Sequence, residues 1–274
     1  RALNGKGMSG WKEKLGFLDV PNLGDKVIMF HGVSVGEVIA LENLIKKTKE
    51  TFKDYEIVVT TGTKTGQEIA HKKYKDIASY ITYFPYDILP CVKSFLNKVR
   101  PSIVMIAETE IWPTFAEECY TIGIPLLTIN GRISDSTYNL YKFFKKFFKF
   151  TLSKYTRILT QSQEDMDKFL ELGAPVNITK VMKNLKFDVK KSDEKVDIER
   201  GNNRLIIAGS THGEENPIII NAFNNLKKEF ADIKLLIAPR HFTRVPEIKD
   251  LAQKAKLSYG LRSNNDNFLS NDII

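Results

Sequence analysis

The chain has 274 residues, enough for one large domain or two ordinary ones, and its 42% hydrophobic and 27% charged residues supply packed cores. A net charge of +8, from 41 Lys and Arg against 33 Asp and Glu, suits anionic partners, although much of the Lys excess is scattered as surface solvation. The two cysteines, Cys91 and Cys119, lack CxxC spacing, which argues against a zinc cluster or disulfide framework and for a reducing compartment, and no apolar run reaches the ~18 residues of a bilayer span.

In chain order, the basic segment Arg1–Gly7 comes first without an initiator Met, so a segment upstream is expected. Val27 to Phe30 is an apolar run with the character of a buried strand. It gives way to a loop carrying Gly32, Ser34 and Gly36, where the glycines permit a sharp turn and close ligand approach. A helix follows with Val38, Leu41, Leu44, Ile45 and Thr48 on one face. Glu37 falls at the start of this helix, at the strand end where open α/β sheets bind ligands. A carboxylate there is either a helix-dipole partner, worth roughly 0.3–1 kcal/mol, or a general base aimed into the crevice.

Strands are then predicted at 56–60, 79–84, 102–107, 125–129, 157–160 and 176–181. Helices are predicted from Gln67, over 88–99, after Trp112-Pro113 (with Pro in the first turn), up to about Ser153, and over 164–172. This βαβ alternation implies a parallel sheet with helices on both faces. The fold class is therefore α/β, with an N-terminal domain over residues 1–186. Residues 187–202 are polar and charged and read as an interdomain linker. Residues 203–274 open a second βαβ series, with strands at 204–208 and 233–238 and helices at 214–230 and about 245–255. At 72 residues this second domain is short of the ~100–150 usual for a doubly wound domain, and Asn271–Ile274 resembles the opening of another strand. The second domain is expected to be incomplete, with Leu205, Ile206, Ile207, Leu235, Leu236 and Ile237 lacking a full core.

Four strand-end loops of the first domain carry polar groups: Ser34 and Glu37; Thr63 and Lys64; Glu108 and Glu110; Asn130, Arg132 and Ser134. Four on one sheet edge suggest a site. Glu108 and Glu110 would face the same way in extended chain. In the second domain, Thr211 and Glu214 fit a capping box, while the same N–H groups could bind phosphate. Arg240, His241 and Arg244 supply cations close by. Neither loop is a Walker P-loop or a GxGxxG fingerprint, so kinase and dehydrogenase readings lack support. The helix spanning Tyr138–Phe150 carries Lys142, Lys145, Lys146 and Lys149 on one stripe and Tyr141, Phe144 and Phe148 on another. It is either a solvated basic face or a surface meeting anionic lipid headgroups.

Six blocks together carry a resemblance: His31–Glu37, Glu108–Pro113, Asn130–Ser134, Asn184–Asp188, Gly209–His212 with Gly213-Glu214-Glu215, and Ala238–His241. They resemble, in order, the 3-deoxy-D-manno-octulosonic acid (Kdo) transferases of lipopolysaccharide synthesis. The resemblance implies a GT-B glycosyltransferase of two Rossmann-like domains, the second incomplete in this chain, with the active site in the cleft between them. It implies inverting transfer of Kdo from CMP-Kdo to the lipid A disaccharide precursor at the cytoplasmic face of the bacterial inner membrane. No metal or other cofactor and no nucleic acid are implied. By motif, Glu37 is similar to the family's general base and Glu108 to a second essential carboxylate. Ser210, Thr211, Arg240 and His241 look like donor-binding residues, and Ser34, Gly36, Asn130 and Arg132 like acceptor-binding ones.

The chain departs from the family in having Lys183 where Gly usually precedes the Asn184 block, and Thr114 where Asn usually follows Pro113. The Gly-rich, Asn-containing donor motifs and the hydrophobic N-terminal anchor of many members are absent from it, so the chain alone is expected to be inactive. Alternative readings are another GT-B nucleotide-sugar transferase or epimerase, and a non-catalytic lipid-A-binding remnant.

Overall fold

A computed structural model describes residues 9–188 and 201–274. The basic opening segment and most of the expected linker 187–202 lie outside the described residues. The chain divides into two compact units, residues 1–190 and 191–274.

The first unit is a seven-stranded, wholly parallel sheet. Its strands are β1 (Val27–His31), β2 (Glu56–Thr61), β3 (Tyr80–Tyr83), β4 (Ile103–Ala107), β5 (Leu126–Gly131), β6 (Arg157–Thr160) and β7 (Thr179–Val181). They lie in the order β3-β2-β1-β4-β5-β6-β7, so the chain runs outward from β1 on one side and then restarts on the other. All five residues of β1 are buried, as the sheet's central strand requires. Alternation sends Val27 and Met29 into one core layer with Phe95, Val104, Ile106 and Phe115. Ile28 and Phe30 enter the opposite layer with Val38, Leu41, Ile45, Ile57, Val59 and Tyr74.

The connecting helices are α1 (Trp11–Lys14), α2 (Val35–Ala40), α3 (Glu42–Thr51), α4 (Lys64–Tyr74), α5 (Leu89–Val99), α6 (Pro113–Thr121), α7 (Asp135–Phe143), α8 (Lys145–Leu152) and α9 (Gln163–Glu171). Their starts are chemically defined. Thr63, Ser134 and Ser162 hydroxyls accept from the N–H groups of Gly66, Thr137 and Asp165. α6 has Pro113 in its first turn, and the Asp87 carboxylate accepts from Thr114 N–H (3.0 Å) and Phe115 N–H (2.8 Å). The Thr114 hydroxyl donates to the Asp87 carbonyl at 3.0 Å, so Thr serves this turn.

Several expected boundaries are corrected. The helix after β1 is interrupted at Leu41, although Val38, Leu41, Ile45 and Thr48 are buried as the periodicity requires and Leu44 is half-buried. The helix after β2 starts at Lys64 rather than Gln67, because Thr63 caps it. The stretch 176–181 is a 3-10 turn, Val176–Ile178, followed by the short β7. The single helix predicted through Tyr138–Phe150 is two, α7 and α8, broken at Phe144. The break lets Tyr141 stack on Phe148 at 4.0 Å, so these two rings belong to the core side.

The second unit pairs β8 (Arg204–Thr211) in parallel with β9 (Ile233–Pro239), joined through α10 (Glu215–Glu229) and followed by α11 (Val245–Lys254). Ile273 bridges in parallel to Leu235 and Tyr259. The Lys234 ammonium donates to the carbonyls of Leu269 (2.9 Å) and Asn271 (2.7 Å), tying this segment down. Contrary to expectation, a local core forms: Ile220, Phe223, Ile233, Leu235, Ile237, Ile248, Ala252, Leu257 and Ile273. Ile207 does remain exposed.

Lys183, where the resemblance implies Gly, has φ +70°. A Cβ in the left-handed region costs roughly 1–2 kcal/mol, partly offset by the entropy that Gly loses on folding. Lys183→Gly should therefore raise stability by about 0.5–1 kcal/mol, read as an increased urea midpoint at constant m.

Candidate active site

The site grows from the end of β1. The His31 imidazole is fully buried, with Nδ1 3.0 Å from Thr60 Oγ1 and the ring 4.1 Å from that of Phe84. Burial holds it neutral, with a pKa pushed down to about 3, so it packs the floor of the site. Gly32 is sterically required: a Cβ there would lie 3.2 Å from Val38 N and 3.3 Å from the Glu37 carbonyl carbon. Gly36 has open space around its missing Cβ and is exposed, leaving room for a ligand.

Glu37 sits in the first turn of α2 and folds back over it. Its Oε2 accepts from Val33 N–H at 2.6 Å and its Oε1 from the Ser34 hydroxyl at 2.9 Å. This differs from an ordinary capping box: Ser34 is the N-cap residue but gives its hydroxyl proton to the carboxylate instead of accepting from the helix. Burial raises the Glu37 pKa, opposed by these hydrogen bonds and reinforced by the nearby Glu108 charge.

β4 lies beside β1, with His31 opposite Ile106, so its following loop supplies the neighbouring groups. Glu108 has φ +59°, which breaks the extended path expected to turn Glu108 and Glu110 the same way. The Glu108 carboxylate is 3.8 Å from the Lys186 ammonium. Glu110 has no hydrogen bond or ion pair with any described residue. Burial, then the charges of Glu37 and Glu108, push its carboxyl up to about 7. Sequence reasoning noted Glu110 but did not carry it to the site, and it missed Lys186. The motif block 184–188 held the signal for Lys186, but nothing in sequence links it to Glu108.

The other first-unit residues separate into buried and open ones. Asn130 belongs to β5 rather than to a loop and is fully buried. It has φ +55° within a register shift of β5, and its Oδ1 accepts from Leu185 N–H at 3.0 Å. Arg132 is exposed, and its guanidinium has no partner among the described residues. Thr63 caps α4, Lys64 is exposed 4.0 Å from Glu68, and Ser134 caps α7.

In the second unit, Ser210 is exposed with φ +60°, and Arg240 Nη1 lies 3.5 Å from its hydroxyl. Arg240 N–H donates to the Thr211 carbonyl at 3.0 Å, which fixes that strand end. Thr211 is the last residue of β8 and buried, and its hydroxyl has no partner. The expected Thr211–Glu214 capping box is not formed; His212 N–H donates instead to Glu215 Oε2 at 2.7 Å. His241 is exposed, and Arg244 pairs with Glu247 at 2.8 Å, beside a recess lined by His212, Gly213, Glu215 and Pro217.

On the surface formed by α7 and α8, Leu140, Phe143, Phe144, Phe147 and Phe150 are exposed, Phe143 to 84%, among Lys142, Lys145, Lys146 and Lys149. No described helix is long and apolar enough to cross a membrane. Among the described residues, no three His, Cys, Asp or Glu side chains are grouped so as to hold a metal ion.

A parallel sheet with this strand order and polar groups at the central strand ends is a Rossmann-like domain of GT-B type. Solved structures with this fold include a UDP-N-acetylglucosamine 2-epimerase of Neisseria meningitidis bound to UDP-GlcNAc, at TM-score 0.57 and 16% identity, covering 91% of this chain and 71% of that one. A putative UDP-N-acetylglucosamine 2-epimerase of Listeria monocytogenes also scores 0.57, at 15% identity over 84% of this chain and 66% of that one. The sequence narrows the class: residues 9–189 match the family model of 3-deoxy-D-manno-octulosonic-acid transferase (kdotransferase), and the chain belongs to that family. It is 31% identical to the 3-deoxy-D-manno-octulosonic acid transferase of Rickettsia felis, over 90% of this chain and 54% of that protein. It is 33% identical to a bifunctional glycosyltransferase/methyltransferase of Fusobacterium nucleatum, over 86% of this chain and 37% of that protein. The chain thus spans about half the length of the curated relatives it matches.

Glu110 makes a stability prediction. Its carboxyl binds a proton more tightly when folded (about 7) than at its ordinary value of 4.5. That stabilisation is complete below about pH 4.5 and is lost as pH rises through 7, by as much as about 3 kcal/mol. Denaturation series between pH 4.5 and 8 should show this decline in the wild type and a flatter profile in Glu110→Gln.

Proposed function

We propose that the protein transfers Kdo from CMP-Kdo to a sugar hydroxyl of the lipid A disaccharide precursor, with inversion and with Glu37 as general base. The observation that carries this reading is the Glu37 carboxylate, half-buried beside the central strand end and oriented by Val33 N–H and the Ser34 hydroxyl. A sugar hydroxyl is a poor nucleophile, and a fixed carboxylate that takes its proton makes it a better one as the new C–O bond forms. The bond from the anomeric carbon to the phosphate oxygen breaks on the opposite face, and CMP leaves with the electron pair.

Glu108, neutralised by Lys186, is the second carboxylate of this site. Gly36 and Arg132 offer open space and an unpaired cation to the anionic acceptor, with Asn130 bracing the floor. Arg240 and His241, with Ser210 and the Thr211 strand end, are the donor-binding groups, where cation and hydroxyls meet charge growing on the departing phosphate. No metal or other cofactor takes part in this reading, and no nucleic acid is a partner.

The acceptor is a lipid, so the enzyme works at the cytoplasmic face of the inner membrane. The α7–α8 surface, with exposed aromatic rings among four lysines, suits an anionic bilayer.

Two measurements test this. In a CMP-Kdo transfer assay with enzyme purified from the cells that make it, Glu37→Gln should lower the rate ~10²–10⁴-fold while CMP binding is kept. A rate within about threefold of wild type, well short of that range, returns Glu37 to a helix-dipole role. Changing Lys142, Lys145, Lys146 and Lys149 together to Gln should weaken binding to anionic vesicles by up to about 1 kcal/mol per charge at low salt. Unchanged binding makes the stripe a solvated face.

A further inference from the structure

Two half-buried carboxyls of the first unit, Glu37 and Glu110, stand in opposite hydrogen-bonding surroundings. Each oxygen of Glu37 accepts one hydrogen bond, from Val33 N–H at 2.6 Å and from the Ser34 hydroxyl at 2.9 Å. Glu110 receives none from any described residue. Donors aimed at a carboxylate favour its charged form, whereas burial without donors favours the protonated form. Adjacent carboxyls of one site cannot both ionise without repelling each other, so surroundings that differ this much divide the charge between them.

The groups around the pair do not reverse the division. Glu108 faces both carboxyls with like charge, and Lys186, 3.8 Å from it, is the cation placed to offset that charge. The Glu110 charge also acts on two phenols, Tyr141 of α7 and Tyr155 just beyond α8. Both are held in their neutral form chiefly by burial. No cation is paired with Glu110.

Resting on the reading of Glu37 as general base, we infer that Ser34 is a positioning residue for that base rather than an acceptor contact. It fixes the negative charge on Glu37 and leaves the proton of the pair on Glu110. The Ser34 hydroxyl has one proton, and donating it to Glu37 Oε1 does three things. It holds the carboxylate in one rotamer, keeps it ionised beside a second acid, and leaves the outward lone pairs free for the acceptor hydroxyl. In the transfer step the acceptor O–H proton passes to Glu37 as the bond to the anomeric carbon forms. Glu110, the more readily protonated of the two, adds less negative charge to repel the incoming anionic acceptor than a second ionised carboxylate would.

Carboxyl NMR titration of this chain, labelled with 13C at the glutamate side-chain carboxyl, tests the division without any substrate. Glu37→Gln and Glu110→Gln assign the two resonances. Glu37 should titrate below Glu110 by about one pH unit or more, Ser34→Ala should narrow the gap, and Ser34→Thr should restore it. In the transfer assay, Ser34→Ala should lower kcat about tenfold, the effect of one lost hydrogen bond to a charged group, with the acceptor KM unchanged. The acidic limb of its pH profile should move upward, and Ser34→Thr should recover both rate and profile.

The inference is overturned if Glu110 titrates below Glu37, if Ser34→Ala leaves the gap as it was, or if Ser34→Ala raises the acceptor KM at constant kcat. Should Ser34→Ala fail to fold, the order of titration in the wild type still decides. A full-length wild-type enzyme, purified from the cells that make it, that transfers no Kdo overturns the proposed function, while the titration separately settles where the proton resides.

Discussion

The reversal of strand order between β1 and β4 is the constraint on which the candidate site depends. From β1 the chain moves to β2 and β3 on one flank, then returns to β4 on the other, so the loops after β1 and β4 diverge. Glu37 and Glu108, far apart in sequence, become neighbours only because His31 and Ile106 share a register. Gly32 completes the arrangement. The backbone of α2 passes so close to the end of β1 that a side chain there would push the helix, and Glu37 with it, away. Packing of Val38 and Leu41 against Phe30 in the same core layer then holds the helix down.

Three carboxyls in one half-buried place oppose folding unless each is compensated, and each is compensated differently. Glu37 has two donors, Glu108 has the Lys186 ammonium, and Glu110 has a pKa pushed up to about 7, which removes part of its charge near neutral pH. Such unequal treatment of like groups is how one site holds an acid and a base near neutral pH. It also means the site stores instability, since the same residues spread over solvent would carry their charges without penalty.

What the sequence revealed depended on how local the determining physics was. The strand–loop–helix around Glu37 was readable because a buried apolar run changes to helical spacing within a few residues, and the alternation of strands and helices followed by the same rule. Pro113 in the first turn of α6 was likewise visible, whereas its cap, Asp87, was not, because it lies across the fold. The break at Phe144 accompanies the stacking of Tyr141 on Phe148, which spacing on one ideal helix does not anticipate. Asn130 read as a loop residue because the apolar run ends at Ile129, yet the strand continues through it with a bulge. Glu110 stood in plain view, but its chemistry comes from burial and from the charges of Glu37, supplied by another segment, and of Glu108 in its own loop.

Lys183 and Asn130 together explain how a cation reaches the carboxyl cluster. After β7 the chain turns at Lys183, with φ +70°, and passes across the strand ends as a 3-10 turn, Leu185–Asp188. A left-handed lysine resists that turn, so other contacts must hold it. The buried Asn130 side chain accepts from Leu185 N–H, and the Asn184 amide donates to Gln161 Oε1 at 3.0 Å. Immediately after these two anchors the Lys186 side chain is delivered to Glu108. Asn130, fully buried, therefore serves the site from below: it fixes the backbone that carries the cation.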